Sequence, residues 1–107
     1  MENKDAKVAE VIRELAAQFF SLVSNRESLI TVTGAEMSGH GTRATVLITV
    51  LPESAEEAAL DFCRRQLGDL REYVHEHSRI ARLPFFEIKM DVGEKNRQKM
   101  DEIDKKI

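Results

Sequence analysis

This chain of 107 residues has a single cysteine, Cys63, so it forms no internal disulfide. A reducing compartment is the expected setting. No apolar run approaches the ~20 residues that a membrane-spanning helix needs. The opening stretch, MENKDAK, lacks the apolar segment of a secretory leader, so a cytoplasmic location is expected. Surplus positive charge is also missing. The formal net charge is −3, which argues against a generic polyanion binder. No Walker loop, Ser/His/Asp order or paired-carboxylate motif stands out, so neither an enzyme nor a cofactor is expected. In His75-Glu76-His77 the imidazoles are two positions apart. On a helix they point ~200° apart and cannot share an ion, so no metal site is expected.

Hydrophobic residues make up 42% of the chain and charged residues 33%, the balance of one globular domain with one core. Charge is unevenly placed. Residues 1–63 carry five Lys/Arg against ten Asp/Glu; residues 64–107 carry eleven against nine. The second half is therefore the better place to look for phosphate contacts.

Residues ~5–23 read as an amphipathic helix, with Val8, Val11, Ile12, Leu15, Phe19, Leu22 and Val23 on one stripe. Ser24-Asn25-Arg26-Glu27 is turn chemistry that ends it. Leu29–Ser38 alternates as a strand until Gly34 shifts the phase, which points to a bulge or bend there. Ser38-Gly39-His40-Gly41 is a turn. Thr42–Leu51 is the strongest strand, with Ala44, Val46, Ile48 and Val50 on one face, and the two strands make an antiparallel hairpin. Ser54 and Glu57 have the spacing of a capping box at the start of the next helix. That helix carries Ala58, Ala59, Phe62, Cys63, Leu67, Leu70, Tyr73 and Val74 on its stripe. Gly68 interrupts it, and a mid-helix glycine costs ~1 kcal/mol relative to alanine, so a bend is expected there. Pro84 forbids further helix, and Phe86, Ile88 and Met90 then alternate as a third strand. Met100 and Ile103 stand at helical spacing in a charged end that is either a short last helix or a fraying tail.

The expected class is α+β, in the order α-β-β-α-(kink)-α-β, with a three-stranded sheet covered by helices on one face. The expected division is one domain over 1–94 and a charged C-terminal tail over 95–107.

Four stretches together resemble the ribosome-binding factor A family over roughly residues 4–103. They are Lys7-Val8 through Leu15, Ile30-Thr31-Val32-Thr33 through Ser38 with Ala44 and Val46, Gly68-Asp69-Leu70-Arg71, and Arg82-Leu83-Pro84-Phe85-Phe86-Glu87-Ile88 through Asp91. Their order and spacing carry the resemblance, since no single piece is very specific. The chain departs from the family at Gln66-Leu67-Gly68, where Ala-x-Gly is usual, and at His40-Gly41, where Asp-Leu is usual. The resemblance implies a KH type II-like fold. It also implies a non-enzymatic assembly factor that binds the free small (30S) ribosomal subunit, assists late maturation of 16S rRNA near its 5′ end, and matters most in cold growth.

An ordinary KH module clamps nucleotides with a GXXG loop, and this chain has none. With a bent helix in that place, recognition would rest on shape and phosphate contacts. Arg64, Arg65, Arg71, Arg79 and Arg82 are the RNA-contact candidates around the bend, with Gly68 as the structural kink. The planar guanidinium fork donates two parallel hydrogen bonds to phosphate. The competing reading of Arg64, Arg65 and Arg71 is pairing with acids one helical turn away, Asp61 among them. Arg43 and Lys89 either extend the contact over the open sheet face or only solvate it. Phe85 is the aromatic placed to stack on a base or to pack under the tail, and Lys95, Arg97, Lys99, Lys105 and Lys106 offer a mobile basic tail, though with acids interspersed a solvated end is the expected reading. A monomer off the ribosome is expected. The alternative is a protein-interaction or small-ligand regulatory domain on a similar α/β frame.

Overall fold

The computed structural model describes residues 2–23 and 27–106, with side chains for 4–23 and 27–100. The order is α1 (Glu2–Leu22), β1 (Leu29–Ser38), β2 (Arg43–Leu51), a 3-10 turn (Glu53–Ala55), α2 (Glu56–Arg65), α3 (Leu67–His77), β3 (Phe85–Met90) and α4 (Val92–Lys106). The turn expected at Ser24-Asn25-Arg26 lies outside the described residues.

β2 is the central strand. β1 pairs with it antiparallel and β3 pairs with it parallel, so the sheet is mixed and its order is β1-β2-β3. The alternation of β2 puts Ala44, Val46, Ile48 and Val50 on the face beneath α1, α2 and α3, where all four are buried. Phe86 and Ile88 of β3 pair with Ala44 and Val46 and join the same core. From the helices, Ile12, Leu15, Ala16, Phe19 and Phe20 meet Ala59, Cys63, Leu70 and Val74. Phe19 and Phe20 stand edge to face at 5.2 Å, so both belong to the core. Two residues expected on the α1 stripe are turned outward, with Val11 36% and Leu22 71% exposed.

The register of β1 shifts between Val32 and Gly34. Thr33 is the extra residue of this bulge. The shift lets Ile30 and Val32 face the core before it, and Ala35 and Met37 after it. Freed from the ladder, Thr33 donates its hydroxyl across β2 to Asp91 Oδ2 at 2.6 Å. Asp91 also caps α4, since its Oδ1 accepts the Glu94 N–H at 3.0 Å. One carboxylate thus ties the first strand, the end of the third and the last helix together.

Three expectations need correction. The helix break is centred on Gln66, at φ −91 and ψ 0, and Gly68 lies inside the first turn of α3 with nothing within 4 Å of where its Cβ would stand. The Gln66 N–H bonds Cys63 O at 3.0 Å and its own carbonyl accepts Leu70 N–H at 2.8 Å, so the chain turns without a left-handed residue. Ser54 is not a helix cap, because it falls in the 3-10 turn and α2 starts from Ala55 with no side-chain cap bond. Its neighbours Glu53 and Glu56 are drawn instead to the last helix. Finally, the basic end is helical from Val92, so the expected boundary at residue 94 falls within α4. Lys95 Nζ bridges Glu53 at 3.1 Å and Glu56 at 2.9 Å, Lys99 reaches Glu53 at 3.1 Å, and Arg97 Nε donates to Glu94 at 2.9 Å. The bond to Glu56, then that to Glu53, pushes the Lys95 ammonium above its ordinary range. Thr49, although on the face away from α1–α3, is buried beside a cleft of ≈ 390 Å³ shared with Lys95, Gln98 and Lys99.

The Thr33 hydroxyl first, and then the Glu94 N–H, hold the Asp91 carboxyl below its ordinary value of 3.8. The charged form is therefore the one the fold favours. That stabilisation is complete above pH 3.8 and is lost as pH falls through the lower folded value. Replacing Asp91 with Ala should cost about 1–2 kcal/mol at neutral pH. In urea titrations the gap from wild type should close as the solution is acidified below that point.

Candidate nucleic-acid interface

α2 and α3 are two short helices set at an angle because the chain turns at Gln66 while the apolar stripe continues from Cys63 to Leu70 and Val74. Arg64 and Arg65 occupy the last turn of α2, exposed, immediately before the break. Neither has an ion pair among the described residues, so the competing reading, pairing with Asp61, does not hold for them. Their cationic ends stay available where the two helix axes diverge.

Arg71 is different. Its Nη1 donates to the Pro84 carbonyl oxygen at 2.7 Å, fixing the loop between α3 and β3 to the body of α3. Pro84 is buried, so this carbonyl has little access to water. Arg71 positions the loop that carries Arg79 and Arg82. Ser78 strengthens the same connection: its hydroxyl donates to Val74 O at 2.7 Å and accepts the Ile80 N–H at 3.3 Å.

Arg79 and Arg82 are exposed and have no ion pair among the described residues. They do not stand at the bend. With Ile80 and Pro84 they line a groove of ≈ 1050 Å³ whose other walls are the start of α1 and the β1–β2 turn. The five arginines therefore divide into a pair at the break, a pair at the far end of α3, and one between them that holds the loop. α3 has 11 residues, so the two pairs are separated by a helix about 16 Å long.

Arg43 and Lys89 share the outer face of the sheet, and both turn toward Glu87, at 3.2 and 4.0 Å. Surface pairs of this kind contribute little to stability and exchange readily for another anion. Phe85, opposite Arg43 in the register, is 72% exposed and does not pack under α4. Cys63 is buried, which pushes its thiol up to about 11 and excludes a ready nucleophile. The basic tail contributes less than its composition implies, because Lys95, Arg97 and Lys99 are held by glutamates.

Residue-by-residue reading of the chain missed the groove walls supplied by α1. Lys4, Val8 and Val11 lie more than sixty positions from Arg79 in the chain and meet it only through the fold. The one signal in the sequence was Val11, which widens the apolar stripe of α1 beyond what a single core face needs.

No family model matches this chain, and no curated protein matches its sequence. Its structure is similar to the crystal structure of ribosome-binding factor A from Thermus thermophilus. The TM-score is 0.71 at 23% identity, covering 80% of this chain and 94% of that one. It is also similar to the solution structure of a Thermotoga maritima protein, a candidate ribosome binding factor A, with TM-score 0.66, 20% identity, and 80% and 85% of the two chains covered. The fold is that of ribosome-binding factor A. The mixed three-stranded sheet and the helices packed on it belong to this shared frame. Within the ribosome-binding factor A fold, this chain breaks its helix pair at a glutamine and uses Arg71 as a strut.

Two substitutions check this reading. Gly68→Ala should raise stability by about 0.4–1 kcal/mol, because the site is helical, open and free of positive φ. A loss of stability would return the kink to Gly68. Arg71→Ala should cost about 1–3 kcal/mol in thermal or urea unfolding, with faster amide exchange in residues 78–84, because it leaves the Pro84 carbonyl without its charged donor.

Proposed function

We propose that this protein belongs to the ribosome-binding factor A family. In this reading it is a non-enzymatic assembly factor that binds the free small (30S) ribosomal subunit and assists late maturation of 16S rRNA near its 5′ end. It works as a cytoplasmic monomer with no cofactor. The shared fold over most of the chain supports this reading, as do the four stretches that resemble the family. The observation that carries the RNA contact is the pair Arg64 and Arg65, exposed and unpaired at the helix break. An ordinary KH module places its GXXG loop between two helices and clamps the backbone of nucleotides there. Here two guanidinium forks at the end of α2, next to the break, take that place and grip phosphates instead.

Arg79 and Arg82 extend the contact beyond the far end of α3. Arg43, Lys89 and the exposed ring of Phe85 offer a further surface on the outer sheet face, where a base can stack. The overall charge of −3 means that affinity comes from these local clusters. Contact by a few arginines gives modest, salt-dependent binding, suited to a factor that must leave the finished subunit.

Sedimentation with purified small subunits tests this. Wild type should pellet with free small subunits at low salt and be released as salt rises. Arg64→Ala with Arg65→Ala should weaken the association and lower the logarithmic salt slope by about one for each phosphate no longer held. Arg71 is left intact in this test, because its removal would also loosen the loop. Wild type that stays in the supernatant at low salt would sink the function. An unchanged slope in the double variant would sink the site.

A further inference from the structure

The groove at the far end of α3 has features that phosphate contact at the bend does not explain. Its floor is apolar, formed by Val8, Val11, Met37 and Ile80. Its rim carries Lys4, Arg79 and Arg82, and Asp5 is the only carboxylate among the described residues that line it. An apolar floor with a cationic rim matches a molecule that alternates flat, weakly polar groups with anions.

The groove also has a ring held in place before any ligand arrives. His77 lines it, stacked on Tyr73 with centroids 4.0 Å apart and planes inclined by 23°. His77 Nδ1 donates to the Tyr73 carbonyl oxygen at 2.8 Å. A carbonyl only accepts, so Nδ1 carries a proton. Tyr73 is fixed in turn, since its hydroxyl donates to Gln18 Oε1 at 3.2 Å and its ring lies 5.6 Å from Phe19. An immobilised aromatic stack meets a planar ligand with little further loss of side-chain entropy. Aromatic and guanidinium planes are what proteins use to hold unstacked bases.

We propose that this groove is a second RNA site that takes a single-stranded segment, with a base stacked on His77 and its phosphates held by Arg79 and Arg82. The proposal rests on the RNA-binding reading above and adds a ligand class and a second location to it. At ≈ 1050 Å³ the groove is at the upper end of small-molecule sites and has room for a short run of nucleotides. A duplex keeps its bases stacked inside and has none to lay on the apolar floor, so the groove selects single strands. The helix of α3 keeps it apart from Arg64 and Arg65, so one protein would touch the small subunit at two places.

The test uses the full chain and a short fluorescent oligoadenylate, read by anisotropy, with duplex RNA and polyglutamate as competitors. His77→Ala should weaken oligoadenylate binding roughly tenfold, the scale of one base–aromatic stack, while His77→Phe should retain it. Arg79→Ala with Arg82→Ala should weaken binding and flatten its salt dependence. Duplex RNA and polyglutamate should compete poorly. The proposal is overturned if His77→Ala binds like wild type, if His77→Phe is as weak as His77→Ala, or if either competitor displaces the oligonucleotide at equal charge. If oligonucleotide binding depends only on Arg64 and Arg65, the groove is not the site and RNA binding still stands. If neither oligonucleotide nor small subunit binds, both readings fail.

Discussion

Because β3 runs parallel to β2, the chain must travel back along the sheet before it can pair again. The Phe85 N–H meets Thr42 O at 2.8 Å and the Asp91 N–H meets Ile48 O at 2.8 Å, so both ends of the third strand are pinned beside the central one. Two antiparallel strands need only a turn between them, whereas a parallel pair needs a crossover, usually helical. Here the crossover is α2 and α3, folded at Gln66. The loop that follows α3 must then arrive at the end of the sheet where β2 begins, which is also where the β1–β2 turn lies. α1 starts there too. The groove, Arg79, Arg82 and the Arg71 strut all follow from that return path.

At the opposite end of the sheet a second constraint operates. The bulge at Thr33 keeps both halves of β1 on the core face and releases a hydroxyl toward Asp91. Asp91 stands where β3 stops and α4 begins, so one charged group satisfies the sheet and the helix start together. Lys95 and Lys99 then draw α4 to Glu53 and Glu56. The acids at the start of α2 thus act through tertiary contacts in addition to favouring their own helix N-terminus.

Much of the frame was legible in the residues. Period-two alternation in Thr42–Leu51 and Phe86–Met90 marks strands, and the phase slip at Gly34 marks the bulge, because side chains on a strand must alternate. Helix breaks are less legible. Gly68 stands out as the weakest helix former, yet the turn occurs at Gln66, whose backbone adopts an angle open to most residues. Intrinsic propensity is a weak guide when packing on both sides of a break decides where the chain bends. Composition misled at the last helix for a related reason. Its lysines count as basic until their glutamate partners, some forty residues earlier in the chain, are seen beside them.

The local elements, the core faces and the list of arginines can be read from the residues alone, because these depend on neighbours within a turn or a pleat. That the arginines serve different ends emerges from the packing of distant segments. The length of α3 separates Arg79 and Arg82 from Arg64 and Arg65, while the return path to β3 sets Arg71 against the Pro84 carbonyl and brings residues from α1 and the β1–β2 turn to the same groove. Those contacts join residues far apart in the chain, and no local pattern records them.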